Sequence, residues 1–179
     1  MEEISTIISA IEYRWQDLAL SEILKTAEDM VLSDIYVAGF CLFYVDYTEF
    51  FPPHLALNTE QHDQDDRLAD KSNRWWPCEW KIRLDQSSEL IFDDYDRLAR
   101  ALSDESDDVW ESAVEEHYRA IARVSKYLTS TIRMSGNRSF TKSFVVGIFE
   151  YLENESEYSR LVRLSIDREQ LANLDAPRW

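Results

Sequence analysis

His62 and Asp63 stand side by side in the chain, and an adjacent imidazole and carboxylate can both ligate a divalent ion when further His and Asp residues converge on them. The only other histidines are His54, a short way upstream, and His117, which falls inside a helical stretch. The polar run around His62 therefore reads more simply as a solvated acidic surface, and neither metal nor cofactor is expected. Cys78 with His54 or His117 would make a thiol dyad in principle. Cys41, however, sits in an apolar run and Cys78 follows Trp75-Trp76-Pro77, so two buried, inert thiols in a reducing compartment are the simpler reading. Paired carboxylates are plentiful, and that abundance makes each pair uninformative, because a catalytic pair must also share a cleft. Gly39, Gly136 and Gly147 are isolated from one another, which leaves no Gly-rich phosphate loop and no Gly-x-Ser-x-Gly elbow.

Charge is the more telling property. With 35 Asp and Glu against 19 Lys and Arg, the chain carries a formal net charge of -16 on 179 residues. Such a field repels nucleic acid and anionic membrane and speeds encounter with a positively charged protein. The acids cluster at Asp63, Asp65 and Asp66, at Asp93, Asp94 and Asp96, at Asp104, Glu105, Asp107 and Asp108, and again at Glu150, Glu153, Glu155 and Glu157. Trp75, Trp76 and Trp80 fall within one short element. Core packing beneath a loop accounts for such a cluster, since Trp is mostly buried; an anchor for a protein partner is the sharper alternative. Stacking of nucleic-acid bases is disfavoured because the basic groove that would track phosphates is absent. The surface nominated for a partner is thus Asp63, Asp65 and Asp66 together with Asp104, Glu105, Asp107 and Asp108, with Trp75 or Trp76 as anchor. Against it stands the plain alternative that each acidic run is a solubilising face.

The elements that would carry these groups follow from periodicity. Residues 5–32 place Ile8, Ile11, Trp15, Leu18, Ile23, Leu24, Ala27 and Val31 at helical spacing and predict a long opening helix. Residues 35–45 are rich in β-branched and aromatic side chains and apolar on both alternating faces, which predicts a central strand; the run is too short for the ~20 residues a membrane-spanning helix needs. After Pro52-Pro53, residues 54–58 should return antiparallel to it, and Asn58-Thr59-Glu60 offers a helix cap ahead of an exposed polar stretch to Asp70. A third strand is expected over 79–84, a helix over 87–102, and another over 109–134 stopped by Ser135-Gly136-Asn137. A buried strand follows at 144–149, then an extended or helical piece at 159–166. Together these predict an α+β fold, a small, mainly antiparallel sheet covered by several long helices, in one domain over residues 1–179. No secretory leader is legible after Met1-Glu2-Glu3, so a cytoplasmic protein is expected.

The order of these features resembles the bacterial domain-of-unknown-function family 4303. A long amphipathic helix leads into a strand ending in an acidic turn near Asp46. A short strand then closes on Leu57-Asn58-Thr59-Glu60, followed by Arg74, Trp76, Pro77, Glu79 and Trp80 in an Arg-x-Trp-Pro-x-Glu-Trp element and by a late Val-Val-Gly strand. Trp75 and the acidic stretch from Gln61 to Asp70 are departures from the pattern. The resemblance implies an immunity protein of the polymorphic toxin systems, a small protein that binds and neutralises a cognate toxin domain. It carries over no catalytic residue. Function is therefore expected to be non-enzymatic: an acidic immunity protein occluding the active site of a basic toxin, such as a nuclease. The alternatives are a small hydrolase or transferase with an unrecognised acidic site, or a structural adaptor subunit.

Overall fold

The computed structural model describes residues 2–42, 50–68, 77, 80–84, 86–150 and 155–172. Trp75 and Trp76, Cys78 and Glu79 lie outside them. Helix α1 (Glu2–Asp29) runs without Gly or Pro and buries Ile4, Ile7, Ile8, Ile11, Trp15, Ala19, Ile23 and Ala27, one stripe at spacings of three and four residues. Strands β1 (Ile35–Leu42) and β2 (His54–Thr59) follow, then α2 (Glu60–Leu68), β3 (Ile82–Leu84), α3 (Gln86–Leu90), α4 (Phe92–Leu102) and α5 (Asp107–Ser135). Strand β4 (Phe140–Glu150), α6 (Glu155–Ser165) and α7 (Arg168–Ala172) complete the order.

The α+β architecture expected from the pattern is the one observed. The sheet has the order β3-β2-β1-β4. β1 pairs antiparallel with β2, Phe40 opposite Leu55 and Ala38 opposite Leu57, and β2 pairs antiparallel with β3. β4 lies parallel to β1 on its other side, with Gly39 opposite Gly147. All eight residues of β1 are buried, because both of its edges are paired and both faces of the sheet are covered. Ala38, Phe40, Leu42, Leu55, Leu57, Val146 and Ile148 share one core with α1, α4 and α5. Val37, Ala56, Val145 and Phe149 share a second with Trp80 and with Val162 and Ile166, from α6 and the residue after it.

β4 is an edge strand whose outward backbone groups are taken by helix side chains. Thr129 Oγ1 on α5 accepts the N–H of Val146 at 2.8 Å while donating to the carbonyl of Ser125 at 2.8 Å. Ser165 Oγ on α6 accepts the N–H of Ile148 at 2.9 Å while donating to Leu161 at 2.9 Å. Arg133 Nε donates to the carbonyl of Phe144 at 2.7 Å. Each hydroxyl thereby ties a helix to the strand and blunts an edge that would otherwise template further pairing.

Local differences from the sequence pattern have physical causes. The helix expected over 87–102 is two, because Ile91 turns inward at φ -103°, ψ 0° and is fully buried, while Leu90 and Phe92 beside it are exposed. Arg14 donates to the freed carbonyl of Leu90 at 2.8 Å and pairs with Asp94, so α1 stitches the break. The ambiguous piece near residue 159 is helix α6. Asp63 departs from the expected exposure of its stretch: it is 2% exposed.

Candidate functional site

The nominated acids divide into two groups that the fold keeps apart. β2 ends at Thr59 opposite the start of β1, so α2 begins at that end of the sheet. Thr59 Oγ1 caps α2 by accepting the N–H of His62 at 3.2 Å. On this helix Asp63 is buried, which removes it from any exposed acidic face. Asp65 is exposed and accepts a bond from Gln61 at 2.9 Å, whereas half-buried Asp66 pairs with Lys81 at 3.2 Å. The first cluster thus offers one unencumbered exposed carboxylate fewer than its spacing promised on each of two counts, burial and pairing.

Asp104, Glu105, Asp107 and Asp108 lie at the other end. Helix α5 runs antiparallel to β4, since Thr129 meets Val146 and Arg133 meets Phe144, so its first turn sits beyond the carboxyl ends of β1 and β4. All four acids are exposed, and none makes an ion pair with the described residues. Asp107 and Asp108 fall in the first turn of α5, where the helix dipole favours negative charge. Trp75 and Trp76 belong to the undescribed stretch, but their neighbour Trp80 packs edge-on against Phe149 with ring centroids 5.7 Å apart, as a core residue does.

His117 is fully buried and part of a polar chain through the helical core. Trp15 Nε1 donates to Tyr95 Oη at 3.0 Å, and Tyr95 Oη lies 2.6 Å from His117 Nε2. An indole N–H can only donate, so the Tyr95 oxygen accepts from Trp15, while the bond between Tyr95 and Nε2 of the neutral His117 imidazole runs from the hydroxyl or from the ring according to the tautomer. Burial pushes the His117 pKa down to about 3 and raises that of Tyr95. Phe50 closes over the group, its ring 5.1 Å from that of His117 and 5.4 Å from that of Trp110. This is an apolar-walled structural tie between α1, α4 and α5 rather than a group open to substrate. Among the described residues no three His, Cys, Asp or Glu side chains come together as metal ligands. His54 is exposed and Cys41 buried.

One feature of the surface escapes a reading based on net charge. Between Glu116 and Glu150 the chain has no acid at all, and it carries Arg119, Arg123, Lys126, Arg133, Arg138 and Lys142. Three of these are paired within the molecule: Arg119 with Glu115, Arg123 with Glu12 at 2.7 Å, and Lys126 with Asp167 at 3.1 Å. Arg133, Arg138 and Lys142, at the end of α5 and the start of β4, have no acid within ion-pair distance among the described residues. The signal was present as an acid-free interval, hidden by the overall excess of carboxylates.

The arrangement is an α+β scaffold with an acidic end and a basic end. No family model, curated protein or solved structure matches the chain.

Proposed function

We propose that this chain is a non-enzymatic acidic binding protein of the cytoplasm, an immunity protein that neutralises a cognate bacterial toxin with a basic surface by occluding its active site. The reading rests on the family resemblance together with one observation: Asp104, Glu105, Asp107 and Asp108 stand exposed at one end of the molecule, without ion pairs among the described residues. Carboxylates there would sit where the phosphates of a nuclease substrate bind, and close charge pairs across such an interface couple by about 1.5–7 kcal/mol each. Long-range attraction from a charge of -16 would raise the encounter rate further.

The test is kinetic. A partner co-purified from the native host should associate several-fold more slowly as ionic strength rises to the point where screening acts over roughly 8 Å. Reversing Asp104, Asp107 and Asp108 to Lys should slow association and weaken affinity in a chain that still folds, with the melting temperature lowered only by the lost helix-dipole contacts of Asp107 and Asp108. An on-rate indifferent to salt and to these reversals would remove the acidic end from recognition.

A further inference from the structure

We propose that the basic end is a second docking site, a groove that seats an acidic, extended peptide segment of a partner protein. The groove lies between the end of α5, the start of β4 and the start of α7. It encloses about 430 Å³ and is lined by Arg133, Lys142, Ser143, Asp167, Glu169 and Gln170. That volume falls in the range of sites that hold small ligands or a few peptide residues.

Its walls are biased toward donors. Arg133 spends Nε on the carbonyl of Phe144 at 2.7 Å, which fixes the guanidinium and leaves its two terminal nitrogens for a ligand. The carboxylate of Asp167 is engaged by Lys126 at 3.1 Å. Gln170 accepts the backbone N–H of Asp167 through Oε1 at 3.3 Å, so its amide nitrogen remains a donor. Arg133, Lys142 and Gln170 together therefore present donors suited to carboxylates. Arg123 and Arg160 are held more firmly protonated by the acids they touch, whereas burial alone lowers the pKa of Arg133. A half-buried cation without a counter-charge gains most from a ligand that brings one.

A peptide fits this groove better than a free phosphate. Asp167 and Glu169 on the far wall repel a compact dianion, yet they can accept the backbone N–H groups that accompany each side-chain carboxylate of a peptide. Whole-molecule charge argues against attracting any anion, so a local site is required, and at physiological salt the ~8 Å screening length lets a local site prevail over remote acids. The acidic end lies about 40 Å away along α5 at 1.5 Å per residue, and the two surfaces stand or fall separately.

The probe is acetyl-Glu-Glu-Glu-amide, titrated into the full chain at about 0.15 M salt and followed by amide resonances, with inorganic phosphate in a parallel titration. Saturable shifts confined to residues 133–143 and 167–170 are expected, with affinity reduced about tenfold by the exposed change Lys142→Glu. Asp104→Lys should leave the binding unaltered. Melting curves of both variants should match the parent, since neither side chain is buried. Absence of shifts, shifts elsewhere, unchanged affinity in folded Lys142→Glu, or equal binding of phosphate at the same concentration would each overturn the proposal, and none would bear on the acidic end.

Discussion

Val31 is a β-branched residue at φ 52°, in the left-handed region that favours glycine. It occupies the position after α1 where the chain reverses, with Leu32 N–H on Ala27 at 2.9 Å and Val31 N–H on Glu28 at 3.0 Å, the two bonds of a Schellman ending. Gly136 ends α5 at φ 65° with no such conflict. Val31 is also 87% exposed, so its side chain returns little in burial. Val31→Gly should therefore stabilise the fold by about 0.5–1 kcal/mol, the left-handed cost of an L-residue less the extra unfolded-state entropy of glycine, read as a higher urea midpoint. At Tyr95 the opposite holds. Tyr95→Phe leaves Trp15 Nε1 and His117 Nε2 buried without their bonds, each at a cost of about 1–3 kcal/mol, and should lower the midpoint sharply. His117 adds a pH dependence. Its pKa is lowered from 6.5 to about 3 in the folded state, so the unfolded chain takes the proton first. Its contribution is complete above pH 6.5 and falls by about 1.4 kcal/mol per unit as pH drops toward 3. Its ring nitrogen resonances should remain those of a neutral imidazole at pH 5; an imidazolium signal there in the folded protein would contradict the burial of the ring.

At the scale of elements, three devices hold helices to the sheet. α1 and α5 lie parallel and in register, Ser5 bonding Glu116 at 2.7 Å and Glu12 bonding Arg123, both across 111 residues of sequence. The exposed Glu12–Arg123 pair sets register more than stability, being worth about 0.2–1 kcal/mol. The hydroxyl bridges to β4 are buried and matter more. Thr129→Val keeps the shape but strips the acceptor from the Val146 N–H, so it should cost about 1–3 kcal/mol and speed hydrogen exchange at that amide. An unchanged exchange rate would mean that the bridge does not hold the edge. Close approach is the third device. A Cβ on Gly39 or Gly147 would come within 2.9 Å of the Phe149 ring, and Gly147 also within 2.9 Å of Ile166. The aromatic lies over this glycine pair and fills the place their side chains would take. Gly147→Ala should push Phe149 and α6 outward and destabilise by about 1–3 kcal/mol, measurable by thermal melting.

For the whole molecule, charge is distributed as well as abundant. Acids at the start of α5 and cations at its end both complement the helix dipole, which accounts for part of the asymmetry without invoking a partner. A net charge of -16 must also strain the compact state by self-repulsion. Raising salt from about 0.01 to 0.15 M shortens the screening length from about 30 to 8 Å and should raise the melting temperature. A fall on adding salt would instead mean that surface ion pairs such as Glu12–Arg123 outweigh the long-range repulsion.

The amphipathic stripe from Ile8 to Ala27, though not its extension to the exposed Val31, the doubly apolar strand around Phe40 and the stop at Gly136 were legible because periodicity and turn chemistry are local properties of the chain. So was the α+β class, from the alternation of those elements. Pairing was not: β1 and β4 lie about a hundred residues apart in sequence, and only packing decides that they run parallel with Gly39 against Gly147. The same reason separates the two acidic clusters, buries Asp63, and joins Trp15, Tyr95 and His117 through one hydroxyl. Composition counts charges without positions. The opposed ends of α5 exist as surfaces only because a 29-residue helix carries them to opposite ends of the sheet.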